Sequence, residues 1–291
     1  MPINFQIYSD EFVRTPAVVH SSGPLYLSTA IFAKNSNLLS SPSQTRIIGH
    51  PFLQLARVDS TNNYAMAQIH NGLAVHGATW FTRLQTAGKG QRGKHWNASE
   101  GMNLLQSTAV DASVFSLAQP FVLTAIVANA CYEFFSKYAG SETSIKWPND
   151  IYWRDRKAGG VLIENIIRGN SWTWAVVGIG ININQTSFMG LPNPVSLKQI
   201  TGSDYDTAGL GRELCSYLDR HYNNYLSAGF DAVFRFYNEH LYCRNKNVRL
   251  QKGDEQFTCT INGVDERGDL LVENCGWKHF SFGEVEWIIG S

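Results

Sequence analysis

The densest concentration of chemistry in this 291-residue sequence is the run Gln85-Thr86-Ala87-Gly88-Lys89-Gly90-Gln91-Arg92-Gly93-Lys94-His95-Trp96. Three glycines alternate with the cations Lys89, Arg92 and Lys94, and an aromatic closes the run. Glycine turns the backbone through positive φ and lets a ligand approach the N–H groups closely. With cations at the same place, the loop is suited to wrapping a phosphate or a carboxylate. Gly88, Gly93 and Lys94 also satisfy G-x-x-x-x-G-K, but His95 stands where a phosphate loop needs Ser or Thr for magnesium. The plain alternative is a solvated basic loop whose glycines only turn the chain.

Three further stretches combine residue types in ways that bear on such a site, and a fourth precedes a helix. Lys146-Trp147-Pro148-Asn149-Asp150 crowds a cation, an amide and a carboxylate into one turn. Asp150 suits a magnesium ion, which takes oxygen ligands, or forms with Asn149 an ordinary Asx turn. Lys157-Ala158-Gly159-Gly160-Val161-Leu162-Ile163-Glu164 brings a lysine and a double glycine to the start of a strand-like run. Gly178-Ile179-Gly180-Ile181-Asn182 places two glycines at alternate strand positions, where they weaken the strand and permit close approach by a ligand or another backbone. Asp59-Ser60-Thr61-Asn62 leads into a helix-like stretch; Ser60 or Thr61 either caps that helix or joins its free N–H groups in holding a polar ligand.

The elements that position these residues follow from periodicity. Residues 52–58, 80–84, 102–110, 156–164 and 172–183 read as strands, and 64–70, 117–138, 206–228 and 230–241 as helices. His221, on an apolar helical face, reads as a packing residue. From residue 246 the texture changes to short strands at 248–250, 257–261, 270–273 and 285–289. Turn signals separate them at Lys252-Gly253-Asp254, Asn262-Gly263 and Glu266-Arg267-Gly268-Asp269. Residues 1–45 are rich in serine and proline; short apolar runs at 17–20 and 25–33 suggest strands, and 36–43 a linker. They carry no helix-turn-helix pattern.

Formal net charge is zero, from 24 basic and 24 acidic residues, so bulk electrostatics favours neither nucleic acid nor a membrane surface and any anion site must be local. The five cysteines form no C-x-x-C pair, which points to free thiols in a reducing compartment. Without a signal-peptide pattern, a cytoplasmic location is the expectation.

These segments, in this order, closely resemble the biotin–protein ligases, or biotin–[acetyl-CoA-carboxylase] ligases, across residues 46–291. The K-W-P-N-D stretch and the basic glycine loop ending in Trp96 are the most specific points. The resemblance implies an α+β fold: a mixed β-sheet catalytic domain (46–241) with helices packed on one side, then a small SH3-like all-β C-terminal domain (242–291). Residues 1–45 would be an N-terminal extension of unknown role. The activity implied is formation of biotinyl-5′-AMP from biotin and ATP with Mg2+, then transfer of biotin to a lysine of a biotin carboxyl carrier domain of a biotin-dependent carboxylase. The resemblance admits a homodimer; binding to DNA or membrane is not expected.

Residue by residue, the resemblance places Ser60, Thr61, Asn62 and Gln85 near the ureido head of biotin, and Lys89, Gly90 and Gln91 along its carboxylate and the phosphate. Gly160 and Leu162 would offer backbone to biotin. Lys157 would contact the biotinyl carboxyl oxygen and the α-phosphate, acting with Arg92, Lys89 and Lys146 as the catalytic cations. Arg92 and Lys94 would face the pyrophosphate. Trp96, Asn149, Gly180 and Asn182 would surround the adenylate, and Asp150 would take magnesium. Many members carry arginine where this chain has Lys89 and Gln91; a lysine cannot make a bidentate fork, and Gln91 is neutral. A weaker hold on the adenylate is therefore expected. Lipoate or octanoate ligases are the nearest alternative.

Overall fold

The computed structural model describes residues 47–188 and 193–289. The expectations for residues 1–45 lie outside the described residues. A seven-stranded sheet dominates, built from β1 (Phe52–Leu55), β2 (Thr79–Thr82), β3 (Asn103–Asp111), β4 (Thr143–Lys146), β5 (Asp150–Trp153), β6 (Arg156–Arg168) and β7 (Ser171–Asn182). Its order is β1-β2-β3-β7-β6-β5-β4. Only β1 and β2 pair in parallel; the other neighbours are antiparallel, so the sheet is mixed.

Strand alternation gives the two faces different work. On one face, Val110, Ala175, Val177, Ile179 and Ile181 join the main apolar core. The helices α2 (Val122–Ala139), α4 (Thr207–Ala228) and α5 (Phe230–Glu239) supply the rest of that core. Helix α2 is apolar almost all round because neighbours enclose it, and Gly140 at φ 76° ends it. His221 of α4 is buried and meets Glu133 Oε2 at 2.7 Å; burial lowers its pKa, and its role is packing.

The opposite face carries helix α1 (Thr61–His70), whose Ala65 and Ile69 pack against Trp80, Ala109, Ile166 and Val176. Helices therefore lie on both sides of the sheet, not one. Among the described residues, one 10-residue helix packs on this second face. A short helix α3 (Leu197–Thr201), absent from the sequence reading, carries a full capping box between Ser196 and Gln199.

The second sheet consists of β8 (Asn247–Lys252), β9 (Glu255–Val264), β10 (Leu270–Glu273), β11 (His279–Phe280) and β12 (Glu286–Trp287), in the order β11-β10-β9-β8-β12. Gly253 and residues 265–269 turn as expected, but Asn262-Gly263 does not: β9 runs through it to Val264. The reason is tertiary. Asn238 of α5 accepts from Val264 N at 2.7 Å and donates to Val264 O at 3.0 Å. A Cβ at Gly263 would stand 2.8 Å from Asn238 Oδ1, so the glycine admits that clamp. Among the described residues no helix is long and apolar enough to cross a membrane.

Candidate active site

The sparsely covered face of the large sheet holds a cavity of about 810 Å³. Every residue expected at the site lines it: Ser60, Thr61, Asn62, Gln85, Lys89, Gly90, Gln91, Arg92, Lys94, Trp96, Lys146, Asn149, Asp150, Lys157, Gly160, Leu162, Gly180 and Asn182. The volume lies in the range of pockets that enclose a drug-sized ligand.

Its floor is made of glycine. Gly160, Gly178 and Gly180 sit on adjacent strands, with Gly160 opposite Gly180 and Leu162 opposite Gly178. A Cβ at Gly180 would lie 2.6 Å from Trp96 Cε2, so the glycine lets the indole approach the strand closely. A Cβ at Gly178 would lie 2.8 Å from Asn62 Cγ, so that glycine lets α1 begin against the sheet. At Gly160 a Cβ would crowd Asp150 Oδ1 at 3.0 Å and Lys157 Nζ at 3.4 Å. Asp150 stands directly across from Gly160, and a bulge in the β5–β6 pairing sets Lys157 against Tyr152. Lys157 Nζ thus reaches Asp150 Oδ1 at 2.7 Å over a position with no side chain. Bulges re-aim side chains in this way beside functional sites.

At one end of the cavity a buried polar chain fixes the start of α1. Gln85 Oε1 accepts from Thr61 N at 2.8 Å and from Thr61 Oγ1 at 3.1 Å. Ser107 Oγ lies 2.7 Å from Thr61 Oγ1 and 2.6 Å from Asn62 Oδ1. Asn62 Nδ2 donates to Glu164 Oε2 at 2.7 Å and to Leu162 O at 3.3 Å. Ser60 sits at the N-cap but makes no side-chain cap bond. Gln85 from another segment satisfies the helix's first N–H instead, so the Ser60 hydroxyl is not spent on capping.

The basic loop is a small hairpin. Gly90 N donates to Lys94 O at 2.7 Å and Trp96 N to Gly88 O at 2.9 Å. Arg92 and Gly93 turn it at φ 55° and 74°. The next regular element is strand β3, not a helix. A phosphate loop hands its phosphate to a helix N-terminus, so the phosphate-loop reading of Gly88, Gly93 and Lys94 falls. Lys89, Arg92 and Lys94 are all exposed at the cavity, and Lys89 Nζ reaches Glu164 Oε1 at 3.4 Å.

At the other end Lys146 lies 5.2 Å from the ring centres of both Tyr152 and Trp287. Burial there pushes its pKa down to about 8, with Asp150 opposing and Lys157 and Lys94 adding. Two of the expected site amides have their donors engaged within the protein. Asn149 Nδ2 donates to Val161 O. Asn182 Nδ2 donates to Val195 O at 3.1 Å and Lys157 O at 3.4 Å. Both hold β6 in place, which leaves no amide hydrogen of Asn182 free for an adenine ring in this arrangement.

Several residues in or directly behind the cavity wall escaped the sequence reading. Ser107 is a polar residue inside an apolar strand, a signal that periodicity alone does not separate from packing. Phe282, Gly283, Glu286 and Trp287 come from β12 and the segment that leads into it, and nothing local ties them to site motifs far earlier in the chain.

The architecture defines a class: a mixed sheet with a glycine floor, a cationic hairpin over it and a small antiparallel sheet closing one end. The family described as the Biotin/lipoate A/B protein ligase family matches residues 54–182. A biotin–[acetyl-CoA-carboxylase] ligase of Paracoccus denitrificans is 32% identical over 226 residues, covering 75% of this chain and 92% of that protein. The bifunctional ligase/repressor BirA of Bacillus spizizenii is 28% identical over 235 residues, covering 79% of this chain and 71% of its own. Among solved structures, a mutant form of the Aquifex aeolicus biotin protein ligase, in complex with biotin, matches with a TM-score of 0.65 and 25% identity, over 82% of this chain and 98% of that one. The chain belongs to the biotin/lipoate protein ligase family, among the biotin–[acetyl-CoA-carboxylase] ligases.

Proposed function

We propose that this chain activates biotin with ATP and passes it to a protein. The biotin carboxylate attacks the α-phosphate, giving biotinyl-5′-AMP and pyrophosphate. A lysine amine of a biotin carboxyl carrier domain then attacks the mixed anhydride, forming an amide and releasing AMP. The observation that carries the reading is a cavity in which the Ser60–Gln85 hydroxyl and amide set, the cationic hairpin and Lys157 converge on a glycine floor.

The first step joins two anions, and fixed cations aimed at the developing charge lower its barrier. Lys157 is the best placed, already held over the floor by Asp150 at 2.7 Å. Arg92 and Lys94 at the mouth would meet the pyrophosphate, and Lys146 would add charge from below. Hydroxyls and amides at Ser60, Thr61 and Gln85 suit a ureido group, which has two N–H donors and one carbonyl. Trp96, lying on Gly180 as part of the hairpin, would shelter the anhydride from water. The nucleophile of the second step belongs to the carrier protein, so no activated Ser or Cys is needed here.

The donor set fits a magnesium ion carried on nucleotide phosphates. No group of three or more His, Cys, Asp or Glu is placed to hold a metal among the described residues, and Mg2+ is commonly bound by one or two carboxylates plus phosphates. Asp150 would hold it, and the ion would supply charge neutralisation.

Biotin-dependent exchange of pyrophosphate into ATP tests the reading, with lipoate as the parallel substrate. Exchange with biotin alone is expected. Exchange with lipoate alone, or with neither, would refute it.

A further inference from the structure

Glu164 is a buried carboxylate on the cavity-bearing face of the sheet, just beyond the residues that line the cavity, and the proposed chemistry does not use it. It stands on β6 opposite Val176, two residues beyond Leu162 on the cavity face. Its side chain is 7% exposed, against 37% for Lys89. A charge in that position is costly unless paired and hydrogen-bonded. Both of its oxygens are claimed: Oε2 by Asn62 at 2.7 Å and Oε1 by Lys89 at 3.4 Å. The two partners come from the start of α1 and from the basic hairpin. Through Asn62, Ser107, Thr61 and Gln85, the polar chain leaves the loop at Gln85 and re-enters it at Lys89.

We infer that Glu164 and Lys89 form a latch that seats the basic hairpin on the sheet before any substrate arrives, so that both are positioning residues and Lys89 is not one of the catalytic cations. All three of the hairpin's cations are open to solvent, but Lys89 reaches a carboxylate, Glu164, whereas Arg92 reaches only the carbonyl of Gly283 at 3.5 Å. Lysine is a point charge on a long stem, and one carboxylate oxygen is all it needs. Asp59 also lies within electrostatic reach of Lys89, but Asn63 is the main influence on that carboxylate. With the hairpin seated in advance, part of the ordering cost of closing it over biotin falls before binding.

The kinetic arm of the test rests on the ligase reading; the exchange arm does not. Hydrogen exchange of the amides of residues 87–95 is followed by mass spectrometry in the biotin-free full chain for E164Q, K89Q, K89R and the E164Q/K89Q double variant. In E164Q the new amide oxygen can still accept from Asn62, but the ion pair is gone. A half-exposed pair of this kind predicts about a twofold to fivefold faster loop exchange in E164Q and in K89Q. The biotin KM should rise by a similar factor with kcat within twofold, and the double variant should be no worse than the worse single one. K89R should keep wild-type values, and the thermal midpoint of E164Q, which removes the buried charge along with the pair, should not move. The latch is overturned if loop exchange is unchanged in E164Q, if the two effects multiply in the double variant, or if K89Q alone lowers kcat a hundredfold. Absence of biotin-dependent turnover in the wild-type protein would sink the ligase reading and leave the loop-exchange arm to decide the latch.

Discussion

Gly178→Ala tests whether the floor is glycine because a side chain of the ligand site overlies it. The added Cβ would stand 2.8 Å from Asn62 Cγ and 3.0 Å from its Nδ2, and closer still to Oδ1. Ordinary carbon contacts begin near ~3.5 Å, so Asn62 has to move by most of an ångström. It is buried, and bonded to Ser107, Glu164 and Leu162. Overpacking costs about 1–3 kcal/mol, and breaking one of those buried bonds about 1–3 kcal/mol more. Urea unfolding should therefore show a loss of about 2–6 kcal/mol. Biotin affinity, measured by calorimetry, should fall at least tenfold, because the neighbouring Ser60 and Thr61 move with Asn62. In an Asn62→Ala background the cost of Gly178→Ala should nearly vanish, since the clashing atoms are gone. A stability change under about 0.5 kcal/mol, or a cost undiminished by Asn62→Ala, would refute the reasoning.

Lys157→Ala should lower pyrophosphate exchange by about a hundredfold or more while leaving some biotin binding; a protein that only senses biotin would lose affinity and nothing else. Gln91→Arg should slow release of preformed biotinyl-5′-AMP in a chase, because arginine adds a charged fork at the loop; an unchanged release rate would show that residue 91 does not meet the intermediate. The Lys146 pKa of about 8 lies below the usual 10.5, so between those values the unfolded chain binds more protons and stability rises with pH. The ammonium itself is lost as pH rises through about 8, so exchange activity should fall to half near that pH and Lys146→Arg should extend it upward; a flat profile to about pH 10 would show the charge is not needed. Trp287→Ala, removing one of the two rings beside Lys146, should raise the ATP KM severalfold with little change for biotin, and Trp287→Phe should recover most of it.

Most of the cavity-facing set was readable because its chemistry is local. Gly160, Gly178 and Gly180 announce a close approach wherever they occur in a strand, and the hairpin's cations cluster within six residues of sequence. The arrangement of pairs was not readable. Lys89 and Gln91 carry equal claims to the carboxylate as sequence; only the fold shows that β6 brings Glu164 under Lys89. Asn149 and Asn182 are polar residues in site motifs, yet their amide hydrogens are engaged with the backbone of residues 157, 161 and 195. Asn262-Gly263 has the composition of a hairpin turn, and a clamp from Asn238 keeps it extended. In each case a long-range partner decides between two local readings of equal merit.

The second sheet explains why the K-W-P-N-D turn can hold its position between two strands only four residues long. Trp147 Nε1 donates to Gly268 O at 2.8 Å, and its ring meets Phe282 edge-on at 6.0 Å. Lys146, one residue earlier, lies beside Trp287. Tyr237 of α5 donates to Pro148 O at 2.9 Å from the other side. The turn is thus gripped by α5 and by three separate stretches of the small sheet, while the same small sheet receives Arg92 of the hairpin at Gly283 O, 3.5 Å away. Those grips come from residues 237–287, which carry no recognisable catalytic motif of their own. They fix the cations' side of the cavity, just as the Asn62–Glu164 network fixes the side that the proposed function assigns to the ureido head. Substitutions in the small sheet should accordingly disturb the nucleotide more than biotin, and substitutions along that network biotin more than the nucleotide.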